Sequence, residues 1–235
     1  MVQEDNMGNG KLQLNVGALI VHGLVDFVLP RLCSLANDQE AVWARWHLEN
    51  RQSLKDEIQG NAPGLDANYV DSVVDQLNEQ KDHYPQYLRQ ANFLVSYAAL
   101  ESEVGEIAKS CIRTGLTSNV CPKRFRYLPD YWSYLCNSSE LELFPEPPSW
   151  NLINKYRLVR NSIAHNGAGP DEEHKDYNDL KAFIDSRQDA ILTVWGTLEY
   201  EIGWCPGFLS AAQTFANEIE TALISAGASF KRRKK

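Results

Sequence analysis

No two cysteines in this sequence form a C-x-x-C pair. None of the five (Cys33, Cys111, Cys121, Cys136, Cys205) lies beside histidines at zinc-ligand spacing. That sets aside a zinc ribbon and a disulfide framework. An odd number of scattered cysteines reads instead as reduced, mostly buried thiols of a cytoplasmic protein. A long apolar run is also missing. The most apolar stretch, VGALIVHGLVDFVLP, is interrupted by His22, Asp26 and Pro30, and falls short of the roughly 18–20 uninterrupted residues that a membrane span needs. The opening residues, MVQEDNMGNGKLQLN, have no apolar centre of the secretory kind. No membrane is expected among the partners. Positive charge is scarce: 23 Lys and Arg face 31 Asp and Glu, for a net charge of −8. Five of the 23 occupy the last five positions, so the rest of the chain is more acidic still. Such a chain is no general phosphate binder, and a nucleic-acid role would need a local basic patch.

What is present is the makeup of a globular protein. The chain has 235 residues, 43% of them hydrophobic and 23% charged, enough to bury a large core. Its patterning predicts an all-α bundle with one small β-hairpin. Residues 16–35 read as a buried helix, or two short ones split near Pro30. Asn37 or Asp38 would cap a second helix that stops at Gly60. A third spans about 69–83, with Pro85 ending it or starting the next, which runs from 86 to 113 before Thr114-Gly115. Residues 116–150 hold five of the ten prolines and many aromatics, as expected of an irregular or briefly helical insertion. Ser149 would cap a helix that Gly167, Gly169 and Pro170 terminate, and another follows over 171–187. Then the period changes. AILTVWGTLEYEIG alternates, predicting strands at about 190–195 and 198–202 around the turn Gly196-Thr197. Pro206 opens a last amphipathic helix ending at Gly227. The expected division is an N-terminal helical extension (1–85), a main domain (86–227) and a basic tail (228–235).

Chemistry concentrates in one helix. With Leu152 at 0° and about 100° per residue, Tyr156, Val159 and Ile163 fall within about 40° of it, one apolar stripe. Asn161 lies at about 180°, His165 at about 220° and Arg157 at about 140° on the opposite side; Arg160 flanks the stripe at about 80°. Asn161 and His165, one turn apart, can address the same atom, and the long Arg160 side chain can swing toward them or a second chain can complete the site. A histidine moves protons near neutral pH, and a guanidinium stabilises a charged phosphorane through forked hydrogen bonds. No carboxylate cluster calls for a metal, and no cofactor is expected. The plain alternative is a solvated helix face whose histidine is favoured by the helix dipole.

The six residues RNSIAH, 160–165, resemble the R-x4-6-H signature of the HEPN superfamily, with a polar residue directly after the Arg and a Gly-rich break after the helix. FLVSYAALESEVGEIAK, 93–109, is similar to the family's preceding helix. There Ser96 and Glu101, or Ser102 or Glu103 in their place, would support the Arg. LEYEIGWCPGFL and the last helix also resemble certain members, so the resemblance covers roughly residues 86–227. It implies a HEPN-like bundle and a metal-independent endoribonuclease, a toxin or antiphage effector. His165 would act as acid or base in attack by an RNA 2′-hydroxyl on the adjacent phosphate. Arg160 would hold that phosphate, Asn161 would orient it, and Glu101 would fix the Arg. Ser96 and Arg157 would assist substrate binding. The products would carry 2′,3′-cyclic phosphate and 5′-hydroxyl ends. The resemblance further implies a homodimer with a composite active site and an antitoxin or other regulatory partner. The alternative is a non-catalytic dimeric module that binds a partner protein, a nucleotide or RNA.

Outside the motif, PKRFRYLPDYWSYL interleaves Lys123, Arg124 and Arg126 with Phe125, Tyr127, Tyr131 and Trp132. Those types suit single-stranded RNA, by phosphate contact and base stacking; equally, the aromatics could anchor the insertion to the core. The tail FKRRKK could gather RNA or simply aid solubility. His174, nine residues beyond His165, could approach the same cleft. His22 and His47 read as structural, and Glu199 and Glu201 as the solvent face of the hairpin.

Overall fold

The computed structural model describes residues 20–61, 66–113, 125–138, 141, 148–167 and 169–233. Within them the chain is all-α with one small hairpin: six helices and a two-stranded antiparallel sheet. In chain order these are α1 (Leu29–Asn61), α2 (Ala67–Arg113), α3 (Leu128–Cys136), α4 (Pro148–Asn166), α5 (Tyr177–Asp185), β1 (Ala190–Leu192), β2 (Leu198–Tyr200) and α6 (Trp204–Arg233).

The helices are fewer and longer than the sequence pattern predicts. Helix begins at Ile20 and continues through a π-turn, Leu24–Val28, straight into α1. Pro30 does not split it. A proline ring normally clashes with the carbonyl four residues back. Here the turn just before Pro30 is widened, with Leu29 N–H bonding to the Leu24 carbonyl, so the ladder is already re-spaced where the ring enters. Asn37 and Asp38 sit inside α1 and cap nothing. Pro85 likewise lies inside α2, buried, at the expense of one ladder hydrogen bond. The expected boundary at residue 85 therefore falls in the middle of a continuous helix.

The core explains why that proline is tolerated. Along α2, Phe93, Tyr97, Leu100, Val104 and Ile107 recur every three or four residues and are buried, as an inward helical face requires. Along α6 the matching face is Trp204, Phe208, Ala212, Phe215, Ile219 and Leu223. Ile153, Tyr156, Val159 and Ile163 of α4 close it from a third side. At the centre Phe93 meets Phe208 edge-on at 5.1 Å, and Tyr156 packs on Trp204 at 5.1 Å. The N-terminal helix belongs to the same core through Val21, Leu24, Val25 and Leu29. By length and composition, Ile20–Gly60 is the one described helix apolar enough to cross a membrane. Those four residues of it are packed inside the protein. His22, expected to be a structural residue of the core or an interface, is exposed on this helix, with Nδ1 2.9 Å from Asp26 Oδ2.

Within the insertion α3 packs against α2. Gly105 of α2 lets it approach: a Cβ there would lie 2.9 Å from the Tyr131 ring. The hairpin register pairs Ala190 with Tyr200 and Leu192 with Leu198. Its loop is three residues, Val194, Trp195 and Gly196, rather than the expected two. Gly196 N–H bonds to Thr193 O at 3.0 Å, Thr193 N–H to Thr197 O at 2.8 Å, and Gly196 has φ +75°. A type I turn with a glycine in the left-handed region fits those bonds. Glu199 and Glu201 face solvent, as expected. The expected stop at Gly227 is passed, and α6 continues to Arg233; an interior glycine weakens a helix by about 1 kcal/mol without ending it. The predicted 171–187 helix is shorter, its first residues being successive turns.

A bipartite candidate site at the end of α4

Arg160, Asn161 and His165 occupy the last turns of α4, which stops where Gly167 takes φ +68°. That value suits a residue without a Cβ just past a helix end. Two open cavities flank this stretch, and the helical angles account for both. Positions between about 80° and 220° face the first, those between about 180° and 280° the second. Asn161 and His165 fall in the overlap and line both cavities.

The first cavity holds about 290 Å³. From α4 it takes Arg157, Arg160, Asn161 and His165; from α2 Tyr97 and Glu101; from α3 and the residue before it Tyr127, Pro129 and Asp130. Five of the sequence-predicted site residues thus meet in one place. Arg160 does swing toward Asn161, with Nη1 donating to Oδ1 at 3.2 Å, and its guanidinium lies 5.9 Å over the Tyr97 ring. Arg157 donates from Nε to Asn154 Oδ1 at 2.8 Å. His165 is exposed, with its ring open to the cavities.

Glu101 does something other than fix Arg160. Its Oε1 accepts the Leu128 N–H at 2.8 Å, satisfying a free donor in the first turn of α3. Among the described residues no carboxylate lies within ion-pair distance of Arg160. Glu101 therefore positions the opposite wall. Ser102 is exposed and Glu103 half-buried, its carboxyl pushed up by burial and by Glu106; neither lines the cavity. Ser96 is a correction. Facing the core, 1% exposed, it places its hydroxyl 3.7 Å from Cys205 Sγ, where no substrate reaches it. The very next residue, Tyr97, about 100° round the helix, takes the place expected of Ser96. Its i, i+4 spacing from Glu101 was the signal for it. Burial, then the Glu101 charge, push the Tyr97 phenol above its ordinary range, so it stays neutral. Its hydroxyl has no hydrogen-bond partner.

The basic-aromatic run separates into two roles. Phe125 packs on Tyr131 at 4.8 Å, and Trp132 stacks on Trp150 at 5.4 Å and meets Phe215 at a tilt, 4.9 Å between centroids. Those rings anchor the insertion. Tyr127, by contrast, is 60% exposed on the cavity wall. Arg126 is exposed next to it, outside the lining. Lys123 and Arg124 lie outside the described residues, as does Cys121. Burial holds the Cys205 thiol up to about 11 and those of Cys111 and Cys136 up to about 12, far from a nucleophilic thiolate.

The second cavity holds about 310 Å³, between the end of α4 and the start of α5. Besides Asn161 and His165 it is lined by Leu158, Ser162, Pro170 and Asp171, and on the far side by His174, Asp176, Tyr177 and Leu180. Two successive turns bring those residues back along α4: His174 N–H bonds to Asp171 O at 3.1 Å and Tyr177 N–H to His174 O at 2.9 Å. His174 and His165 therefore share a cavity, as their separation allowed. No lysine or arginine lines this one. Among the described residues no group of three or more His, Cys, Asp or Glu could hold a metal ion. Comparison with family models, curated proteins and solved structures returned no match.

Proposed function

We propose that this chain is a metal-independent endoribonuclease of HEPN type, a cytoplasmic toxin or antiphage effector that works as a homodimer. The observation that carries this reading is the convergence of Arg157, Arg160, Asn161 and an exposed His165 on one open cavity. In an otherwise acidic chain, the two arginines offer a phosphodiester its positive charge, while the two carboxylates of the same cavity, Glu101 and Asp130, are turned to the backbone N–H groups of Leu128, Arg126 and Tyr127. His165 exchanges the proton of the attacking 2′-hydroxyl or of the departing 5′-oxygen. Arg160, steadied by Asn161 and the Tyr97 face, binds the phosphate, and its forked donors gain strength as charge develops on the phosphorane oxygens. Arg157 adds charge at the same rim. The bond from phosphorus to the 5′-oxygen breaks as the bond to the 2′-oxygen forms, leaving a cyclic phosphate and a 5′-hydroxyl. The exposed faces of Tyr127 and Arg126 are placed to receive the strand beyond the cleft.

One observation favours the second reading, a non-catalytic dimeric module for a nucleotide, RNA or protein partner. Glu101 is committed to Leu128, so Arg160 has no acidic support. One experiment separates the two readings. Purified protein is incubated with total RNA in excess EDTA beside His165→Ala and Arg160→Ala. Cleavage that survives chelation, yields 2′,3′-cyclic phosphate ends and vanishes in both folded, dimeric variants supports the nuclease. No cleavage by any of the three favours the module, and cleavage retained in both variants means the site is elsewhere.

A further inference from the structure

We propose that the second cavity is a base-recognition pocket that selects guanine next to the phosphate held in the first. The inference rests on the ribonuclease reading for what it adds, the identity of the nucleotide at the cleavage site. Its starting point is a division of charge. Both cavities share Asn161 and His165 and each has two carboxylates, but in the first Glu101 and Asp130 accept backbone N–H groups and two arginines are added, whereas the second has Asp171 and Asp176 with no cation beyond histidine. Two carboxylates repel a phosphate and accept hydrogen bonds from a neutral group that carries N–H donors.

Three features show polar groups left over for a ligand. Asp176 is the N-cap of α5, yet its carboxylate makes no capping hydrogen bond, although capping is the usual use of an aspartate there; its Oδ2 lies 3.9 Å from His174 Nδ1, beyond hydrogen-bond distance. Asp171 uses Oδ1 for the Glu173 N–H at 3.0 Å, which leaves Oδ2. Independently, Ser162 lines the cavity, is 6% exposed, and its hydroxyl has no hydrogen-bond partner. Buried hydroxyls are rarely left so. His174 is oriented as well: its Nδ1 accepts the Asp176 N–H at 3.2 Å, so the neutral ring carries its proton on Nε2 and can donate to a carbonyl.

The demand is thus for a flat, neutral ligand with adjacent N–H donors beside one carbonyl. Among nucleobases guanine meets it, with N1–H and the N2 amino group side by side and O6 next to them. Uracil offers one donor between two carbonyls. The Tyr177 ring, with Leu158 and Leu180, supplies apolar walls, and about 310 Å³ is at the small end of ligand pockets, the size for a single base. Single-stranded RNA presents bases to proteins in this splayed manner.

The test uses nucleosides, so that it does not depend on cleavage. Guanosine, inosine, adenosine and uridine are titrated into the full chain, with the His165 and His174 ring resonances as readout. Guanosine should move both histidines with a Kd on the order of millimolar, as expected for a fragment-sized ligand. Inosine, lacking only the N2 amino group, should bind about tenfold more weakly, as loss of a hydrogen bond to a charged group predicts. Asp176→Asn and Asp171→Asn should weaken guanosine to a similar extent; asparagine caps helices as well as aspartate does, and an unchanged melt confirms the fold. Equal binding of guanosine and inosine, undiminished guanosine binding by both variants, or no guanosine binding at all overturns the pocket. The two failures differ. Guanosine binding with no RNA cleavage keeps the pocket and removes the nuclease, whereas cleavage lost in His165→Ala without guanosine binding does the reverse.

Discussion

Tyr97→Phe is expected to make the protein more stable, although it alters a residue at the centre of the candidate site. The substitution removes one oxygen and keeps the ring. The ring's contacts therefore survive: the stack on Phe208 at 5.9 Å, the edge of Phe93 at 6.3 Å, and the Arg160 guanidinium 5.9 Å above it. What disappears is a hydroxyl that is buried and unpartnered, in a residue 1% exposed. Leaving such a group unsatisfied costs about 1–3 kcal/mol relative to its hydrogen bonds in water. Ionisation does not relieve that cost, because burial and Glu101 hold the phenol protonated. For a chain of 235 residues, each kcal/mol shifts the melting temperature by about 2–4 °C. Tyr97→Phe should thus melt about 2–12 °C higher in circular dichroism, with an unchanged far-ultraviolet spectrum. A lower melting temperature would refute the reasoning, since it would mean that the hydroxyl has a partner in solution. The higher value would mark the hydroxyl as a burden carried by the free protein, as stability–function trade-offs produce at sites.

Three further outcomes test the frame around the site. Arg89 donates to both carboxylate oxygens of Glu40, at 2.6 and 3.0 Å, and to the Tyr200 carbonyl at 2.6 Å, so one side chain joins α1, α2 and β2. Arg89→Ala should lower stability by about 3 kcal/mol in a urea melt; adding Glu40→Ala should recover part of it, and a double variant worse than the single would count against a buried, coupled pair. Gly105→Ala sets a methyl 2.9 Å from the Tyr131 ring. It should cost about 1–3 kcal/mol and expose Trp132 fluorescence as α3 lifts; a silent substitution would show that α3 is not pressed against α2. Cys111 and Cys205 should resist iodoacetamide at pH 8 until urea unfolds the chain, because their thiols titrate near 12 and 11. Rapid labelling by mass spectrometry in the native state would contradict their burial.

How far the sequence could be read depended on the range of the interaction concerned. The apolar stripe of α4 was visible because Tyr156, Val159 and Ile163 repeat at the helical period, and all three are buried. Burial of the α2 and α6 faces followed from the same period. Local punctuation was less dependable. Pro85 read as a break and Pro30 as one in one of two alternatives, yet each lies in a continuous helix. A π-turn re-spaces one, and the other is buried in a helix whose following turns pack across the core. The hairpin loop was misplaced by one residue because Gly196 marks the left-handed position and does not tell a two-residue loop from a three-residue one.

At the site, the helical wheel separated Arg160 from Asn161 by about 100°, and only side-chain reach reunites them. Nothing in the sequence showed that Glu101 would serve the Leu128 N–H, since the two are 27 residues apart and meet only after α3 docks. The second cavity was still harder to see. Asp171, His174 and Asp176 have no helical or strand period to group them, and they face α4 only because two turns fold the chain back after Gly167. A motif of six residues could therefore point to one side of α4. The other side, where two aspartates keep carboxylate oxygens free of hydrogen bonds and a buried serine hydroxyl has no partner, required the packed structure, and it is there that a choice among bases would be made.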